Sequence, residues 1–188
     1  PKGIIDGNDY FFAGKAERID LAHLEGLLVQ GNIPVIPPLG FDREGNTYRL
    51  NSDDLASEVA VKLKAAKLIY VTTHDGLIHN GEVIRQIPNG KLDQILEKEP
   101  SSLQPDQLAK AHNSATACRD GIPRVHLING SVHEGLLAEV FSNTGIGTLV
   151  YANEYRQIRQ AKKIDLSSIV ALTKNAVEAA ELADRSLS

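Results

Sequence analysis

Apolar positions along the chain recur with two different periods, and their alternation sets the expected architecture. Leu21, Leu24, Leu27 and Leu28 repeat at three- and four-residue spacing behind Asp20, which can cap a helix, and Gly31 stands where a left-handed C-terminal cap belongs. The spacing predicts a helix there, with a strand over 33–39 directly after it. Residues 40–50 read as a hairpin closed around Glu44, Gly45 and Asn46; Asn51, Ser52, Asp53 and Asp54 then supply the cap of a helix carrying Leu55, Val59 and Leu63. A strand over 67–73 and a second hairpin, turning at His79, Asn80 and Gly81, come next. The polar stretch 88–105 shows no clear period and is expected to be the loosest part of the chain.

Beyond it the rhythm resumes. A helix is expected from about 106 to 118, a strand over 124–129, a helix over 133–141, and a Gly145-Ile146-Gly147 turn leading into a strand over 148–150. Four buried strands alternating with helices predict an α/β domain whose helices cover both faces of a parallel sheet. The tail departs from this pattern. Residues 155–163 are basic and short, and 164–187 form an amphipathic stretch with Leu166, Ile169, Val170, Leu172 and Val177 on its apolar side. No strand follows that stretch, so a further domain is expected to complete its core.

Composition narrows the classes. With 188 residues there is material for one ordinary domain and too little for two full ones. A balance of 20 Lys+Arg against 24 Asp+Glu, net charge -4, lacks the basic excess that phosphate backbones require, so nucleic acid is not expected as a partner. The longest apolar runs, such as 33–39, stop far short of the roughly 20 residues that cross a bilayer, so no membrane partner is expected either. Cys118 stands alone, which rules out an internal disulfide and a thiolate metal cluster and suits a reducing cytoplasm. The sequence opens on Pro1 and contains no Met, and it reads as a fragment.

Candidate chemistry sits mainly at strand ends. The turn Thr72-Thr73-His74-Asp75-Gly76 closes a buried strand, where ligands of open parallel sheets collect; it is either the edge of a site or a plain bend. Asn51 and Asp53 offer an amide and a carboxylate at a helix start, which means a cap unless a group such as Lys110 converges on them. His133 and Glu139, six residues apart, are either solvated helix charges or the border of a site at the Gly-Ile-Gly turn, where a carboxylate and backbone carbonyls would match a guanidinium. His74, His79, His112 and His126 have no paired metal-ligand spacing, and no metal is expected. Neither a phosphate-binding Gly-x-x-x-x-Gly-Lys loop nor a Gly-x-Ser-x-Gly elbow occurs.

Two blocks carry a family resemblance. Leu50 to Ala56 followed by Lys67 to Leu77 resembles the second half of the amino acid kinase fold, a three-layer αβα sandwich with a mainly parallel sheet. Arg124 to Gly130, His133, Leu136-Leu137, Glu139-Val140-Phe141 and Gly145-Ile146-Gly147-Thr148 resemble the carboxyl end of that domain in acetylglutamate kinases and N-acetylglutamate synthases. Because the chain runs on through Glu154-Tyr155-Arg156 and Ile164-Asp165-Leu166, it is more similar to the bacterial-type synthases, in which a GNAT acetyltransferase domain follows. The resemblance implies a kinase-like domain over 1–152, a linker over 153–163 and the first helices of a truncated GNAT domain over 164–188.

It also implies functions for particular positions. Asn51 stands where the kinases bind acetylglutamate and Asp53 where they keep the aspartate that organises the phosphoryl-transfer lysines, with Lys110 at a lysine position. Thr73 replaces an aspartate that helps hold the nucleotide, and Pro105, Asp106 and Gln107 replace Gly-Gly-Met, so phosphoryl transfer, which depends on positioning and charge, is expected to be lost. His133, Glu139, Gly145 and Gly147 match positions of the site for L-arginine, implied as allosteric effector. The implied reaction is acetyl transfer from acetyl-CoA, bound by the absent domain, to L-glutamate, in a homo-oligomer. An acetylglutamate kinase working with ATP is the rival expectation.

Overall fold

A two-strand ribbon opens the chain, β1 (Ile4–Ile5) against β2 (Asn8–Asp9), in a computed structural model that describes residues 3–141, 145–152 and 170. The chain divides into two compact units, Pro1–Glu154 and Tyr155–Ser188. The linker expected over 153–163 and the helices expected over 164–188 lie outside the described residues, apart from residue 170.

In α1 (Leu21–Val29) the Asp20 carboxylate accepts the His23 N–H at 3.0 Å. At its other end the Gly31 N–H bonds Leu28 O and the Asn32 N–H bonds Leu27 O, the paired bonds of a Schellman cap. The strand expected over 33–39 does not form. Only Leu39 enters a strand, β3 (Leu39–Phe41), which pairs antiparallel with β4 (Thr47–Arg49), while Ile33 and Val35 are 89% and 91% exposed. Pro34, Pro37 and Pro38 bring no N–H to a ladder, and among the described residues no strand pairs with 33–38.

From α2 (Ser52–Lys62) onward the core assembles. The principal sheet has the order β5 (Leu68–Thr72), β9 (Arg124–Asn129), β10 (Thr148–Tyr151) and β8 (Gln86–Pro88). β5 runs parallel to β9 with Tyr70 opposite Leu127, β10 is parallel to β8, and β9 and β10 are antiparallel. The four buried strands are therefore not the four expected, because β8 takes the place assigned to 33–39. Between β5 and β8 lies the hairpin of β6 (Leu77–His79) and β7 (Glu82–Ile84), turning at Asn80 and Gly81 as expected.

The stretch 88–105 is ordered rather than loose. It contains α3 (Asn89–Lys98), which buries Leu92 and Leu96, and a 3-10 turn over Pro100–Ser102 that leads to buried Leu103. A second 3-10 turn, Pro105–Gln107, feeds α4 (Leu108–Arg119). Ala111, Ala115 and Cys118, three and four residues apart, are buried on α4 and let it lie against α2, α3 and the sheet. α5 (Gly135–Phe141) starts two residues later than expected. Side-chain alternation along β9 separates the faces: Val125 and Leu127 join the main core with α2, α3 and α4, whereas His126 points to α5. Helices on both faces give the αβα layering.

Candidate functional site

Two polar centres lie at the ends of the central strands. The first begins at the cap of α2. Asn51 Oδ1 accepts the N–H groups of Asp53 and Asp54 at 2.9 and 3.1 Å, so this amide serves the helix terminus. The Asp53 side chain is left to meet Lys110, whose Nζ lies 2.5 Å from Asp53 Oδ2 and 5.6 Å from the centre of the Tyr70 ring. Residues 57 apart in sequence thus converge as the capping alternative did not require. Tyr70 fixes the arrangement from behind: its hydroxyl shares a 2.6 Å hydrogen bond with Ser57 and donates to the Asp53 carbonyl at 3.2 Å. Burial pushes its phenol up to about 12, against the Ser57 hydrogen bond, which pulls it down, and with the Asp53 and Asp54 charges adding to the rise.

Lys110 faces a cleft of about 390 Å³ at the carboxyl end of β5, lined also by Thr72, Thr73, His74, Gly76 and Gln107. Thr72 Oγ1 accepts the His74 N–H at 2.9 Å and shapes the turn. His74 Nε2 lies 2.7 Å from Asp106 Oδ2, a pair that sequence reasoning missed because the two residues are 32 apart and share no element. Gln107 spans the cleft floor, donating to Gly76 O and accepting from the Ile78 N–H, both at 2.8 Å. Gly76, at φ +130°, cannot carry a side chain, because a Cβ would overlap the Thr148 hydroxyl. The cleft therefore presents the Thr73 hydroxyl, the Lys110 ammonium that Asp53 holds and the His74–Asp106 pair, a lining of mixed charge. Among the described residues no three His, Cys, Asp or Glu side chains are grouped to hold a metal ion.

The second centre is on the opposite face. Glu139 of α5 is 6% exposed and fully engaged: Oε1 lies 2.7 Å from His126 Nδ1, and Oε2 accepts the N–H groups of Ile146 and Gly147 at 2.7 and 2.9 Å. Burial pushes its carboxyl up, but the His126 hydrogen bond and the two backbone N–H groups outweigh that and hold it below the ordinary range. Gly145 and Gly147 are both required to be small here, since a Cβ on Gly145 would press on Glu139 and one on Gly147 would overlap Leu127 O. The structure thus brings together Glu139, Gly145 and Gly147, whereas His133 is exposed on the turn before α5. His126 was the residue missed. Its signal was a polar side chain inside the buried run Val125 to Ile128, and among the described residues its Nε2 is buried without a hydrogen-bond partner.

The chain as a whole is similar to known proteins. The acetylglutamate kinase of Kosmotoga olearia is 35% identical over 142 residues, 76% of this chain and 50% of that protein. The amino-acid acetyltransferase of Vibrio atlanticus is 35% identical over 193 aligned residues, 99% of this chain and 43% of that protein. The crystal structure of N-acetylglutamate synthase from Neisseria gonorrhoeae complexed with coenzyme A and L-arginine superposes with a TM-score of 0.82 at 32% identity, covering 100% of this chain and 43% of that one. The chain spans half or less of the length of these relatives. A sequence model of the Amino acid kinase family matches residues 2–129. On that match, which covers more than half of its length, the chain belongs to the amino acid kinase family.

Proposed function

We propose that this chain is the kinase-like, arginine-sensing part of an N-acetylglutamate synthase, an amino-acid acetyltransferase of arginine biosynthesis. In that reaction the α-amino group of L-glutamate attacks the thioester carbonyl of acetyl-CoA, a C–N bond forms, the C–S bond breaks, and CoA leaves as the thiol. The observation that carries the reading is the reach of the similarity: 99% of the chain aligns with the acetyltransferase, against 76% with the kinase. Thr73 at the cleft supports it, because the resemblance places there an aspartate that helps hold the nucleotide, and a hydroxyl does not replace that charge. Acetyl-CoA would be held by the acetyltransferase domain, and no residue of this chain is assigned a catalytic role. The protein is proposed to work in the cytoplasm as a homo-oligomer.

The sensing site in this reading comprises Glu139, Gly145 and Gly147, with His126 beside the carboxylate and His133 at the rim. Small residues let backbone carbonyls approach a guanidinium closely. The Ile146 carbonyl already accepts a hydrogen bond from the Arg85 guanidinium, so the turn takes a group of this shape. His126 Nε2 supplies an unused polar atom next to Glu139.

An acetylglutamate kinase remains the second reading, favoured by the Asp53–Lys110 pair at the cleft. Assaying the protein with its acetyltransferase domain for glutamate-dependent release of CoA, beside acetylglutamate-dependent formation of ADP, separates them. CoA release alone is the expected result, and phosphorylation without acetylation would reverse the assignment. Titration with L-arginine, repeated with Glu139→Ala, tests the sensing site; an unchanged response in the variant would reject it.

A further inference from the structure

The two polar centres are joined by one buried side chain. Thr148 is fully buried at the start of β10, directly after the Ile146 and Gly147 amides that Glu139 holds. Its hydroxyl accepts the Leu77 N–H at 2.8 Å and donates to Ile84 O, so it closes the β6–β7 hairpin at both of its strands. The Leu149 N–H, bonded to Arg85 O at 2.9 Å, and the Arg85 side chain on Ile146 O fasten the same two segments. At the hairpin's base Gln107 holds Gly76 O and the Ile78 N–H, and three residues further along the same helical segment Lys110 faces the cleft.

We infer that Thr148 is a positioning residue that couples the Glu139 turn to the cleft, so that a rearrangement of the turn shifts the β6–β7 hairpin, Gln107 and the helix carrying Lys110. The geometry leaves little slack for the turn to move alone. Gly76 sits against Thr148 so closely that no Cβ fits, and Gly147 against Leu127 O likewise. A packed, hydrogen-bonded contact of this kind has discrete arrangements rather than a continuous range. The coupling stands on these contacts; its use as the route from effector to cleft rests on the arginine-sensing reading.

The test is a double-mutant cycle in the full chain, read at the Ile78 amide, whose acceptor is Gln107 and not Thr148. With Thr148 present, Glu139→Gln is expected to change hydrogen exchange at Ile78 by about threefold or more. In a Thr148→Val or Thr148→Ala background the same change is expected to have no further effect, and Thr148→Ser, which keeps the hydroxyl, is expected to restore it. An equal response to Glu139→Gln with and without the hydroxyl would overturn the inference, as would no response with Thr148 intact. Calorimetric titration of the same variants with L-arginine reports on the sensing site alone. Arginine binding left unchanged by Glu139→Gln, with the Ile78 coupling retained, would therefore reject the sensing reading while upholding Thr148.

Discussion

Glu139 shows how a single carboxylate can look like a surface charge in the sequence and be something else in the fold. On α5 it is followed by exposed Phe141 and preceded by exposed Leu136 and Leu137, yet it is itself buried with every oxygen bonded. Its carboxyl is held below the ordinary value of 4.5, so its ionised form stabilises the fold above that pH and the contribution is lost as pH falls through the lower folded value. Urea unfolding of the chain is therefore expected to lose stability below about pH 4.5 with a slope that Glu139→Gln makes shallower. At neutral pH that variant costs about 1–3 kcal/mol, the penalty of weakening buried bonds to His126 and two amides. Tyr70 makes the alkaline counterpart. With its phenol raised to about 12, ultraviolet titration is expected to show a tyrosine ionising near that value, and Tyr70→Phe is expected to remove that component. Its neutral form is the one the fold favours, so this contribution holds below pH 10 and disappears as pH rises through the folded value.

Elements were legible where the local signals agreed. Asp20 with Gly31, Asn51 with the acidic first turn of α2, and Asn80-Gly81 between β6 and β7 each acted as read, because caps and tight turns are settled by neighbours in sequence. The errors at 33–39 and 88–105 have one cause. The composition of a run does not say what packs beside it. Residues 33–39 carry the strand composition but have three prolines and pair with a strand only at Leu39, whereas 89–98 are mostly polar yet place Leu92, Ile95 and Leu96 on one side against α4 and β8. Stability should follow packing rather than hydropathy. Leu92→Ala is expected to cost about 2–5 kcal/mol in denaturant unfolding. Val35→Ala, at a side chain almost wholly in solvent, should change it by less than about 0.5 kcal/mol. A comparable cost at both positions would contradict the burial that places α3 in the core.

At the scale of the whole chain, the site pairs were legible only in part. The Asp53–Lys110 convergence was open in the sequence only as the alternative to a plain cap, since no periodicity links residues 57 apart, and the His74–Asp106 and His126–Glu139 pairs exist only once β5, β9 and the helices are packed. The same packing leaves several large apolar side chains outside the core. Phe11, Phe12, Ile33, Val35 and Phe41 are each more than two-thirds exposed, on the side of the chain that contributes nothing to the principal sheet. Apolar surface on that scale is costly in water and drives association. The 188-residue chain on its own is accordingly expected to show a sedimentation mass that rises with concentration, and Phe11→Ser combined with Phe12→Ser is expected to lower it. These two rings lie outside the core cluster, so the double variant should leave the unfolding midpoint nearly unchanged. A monomer at all concentrations would mean that these side chains are tolerated in solvent.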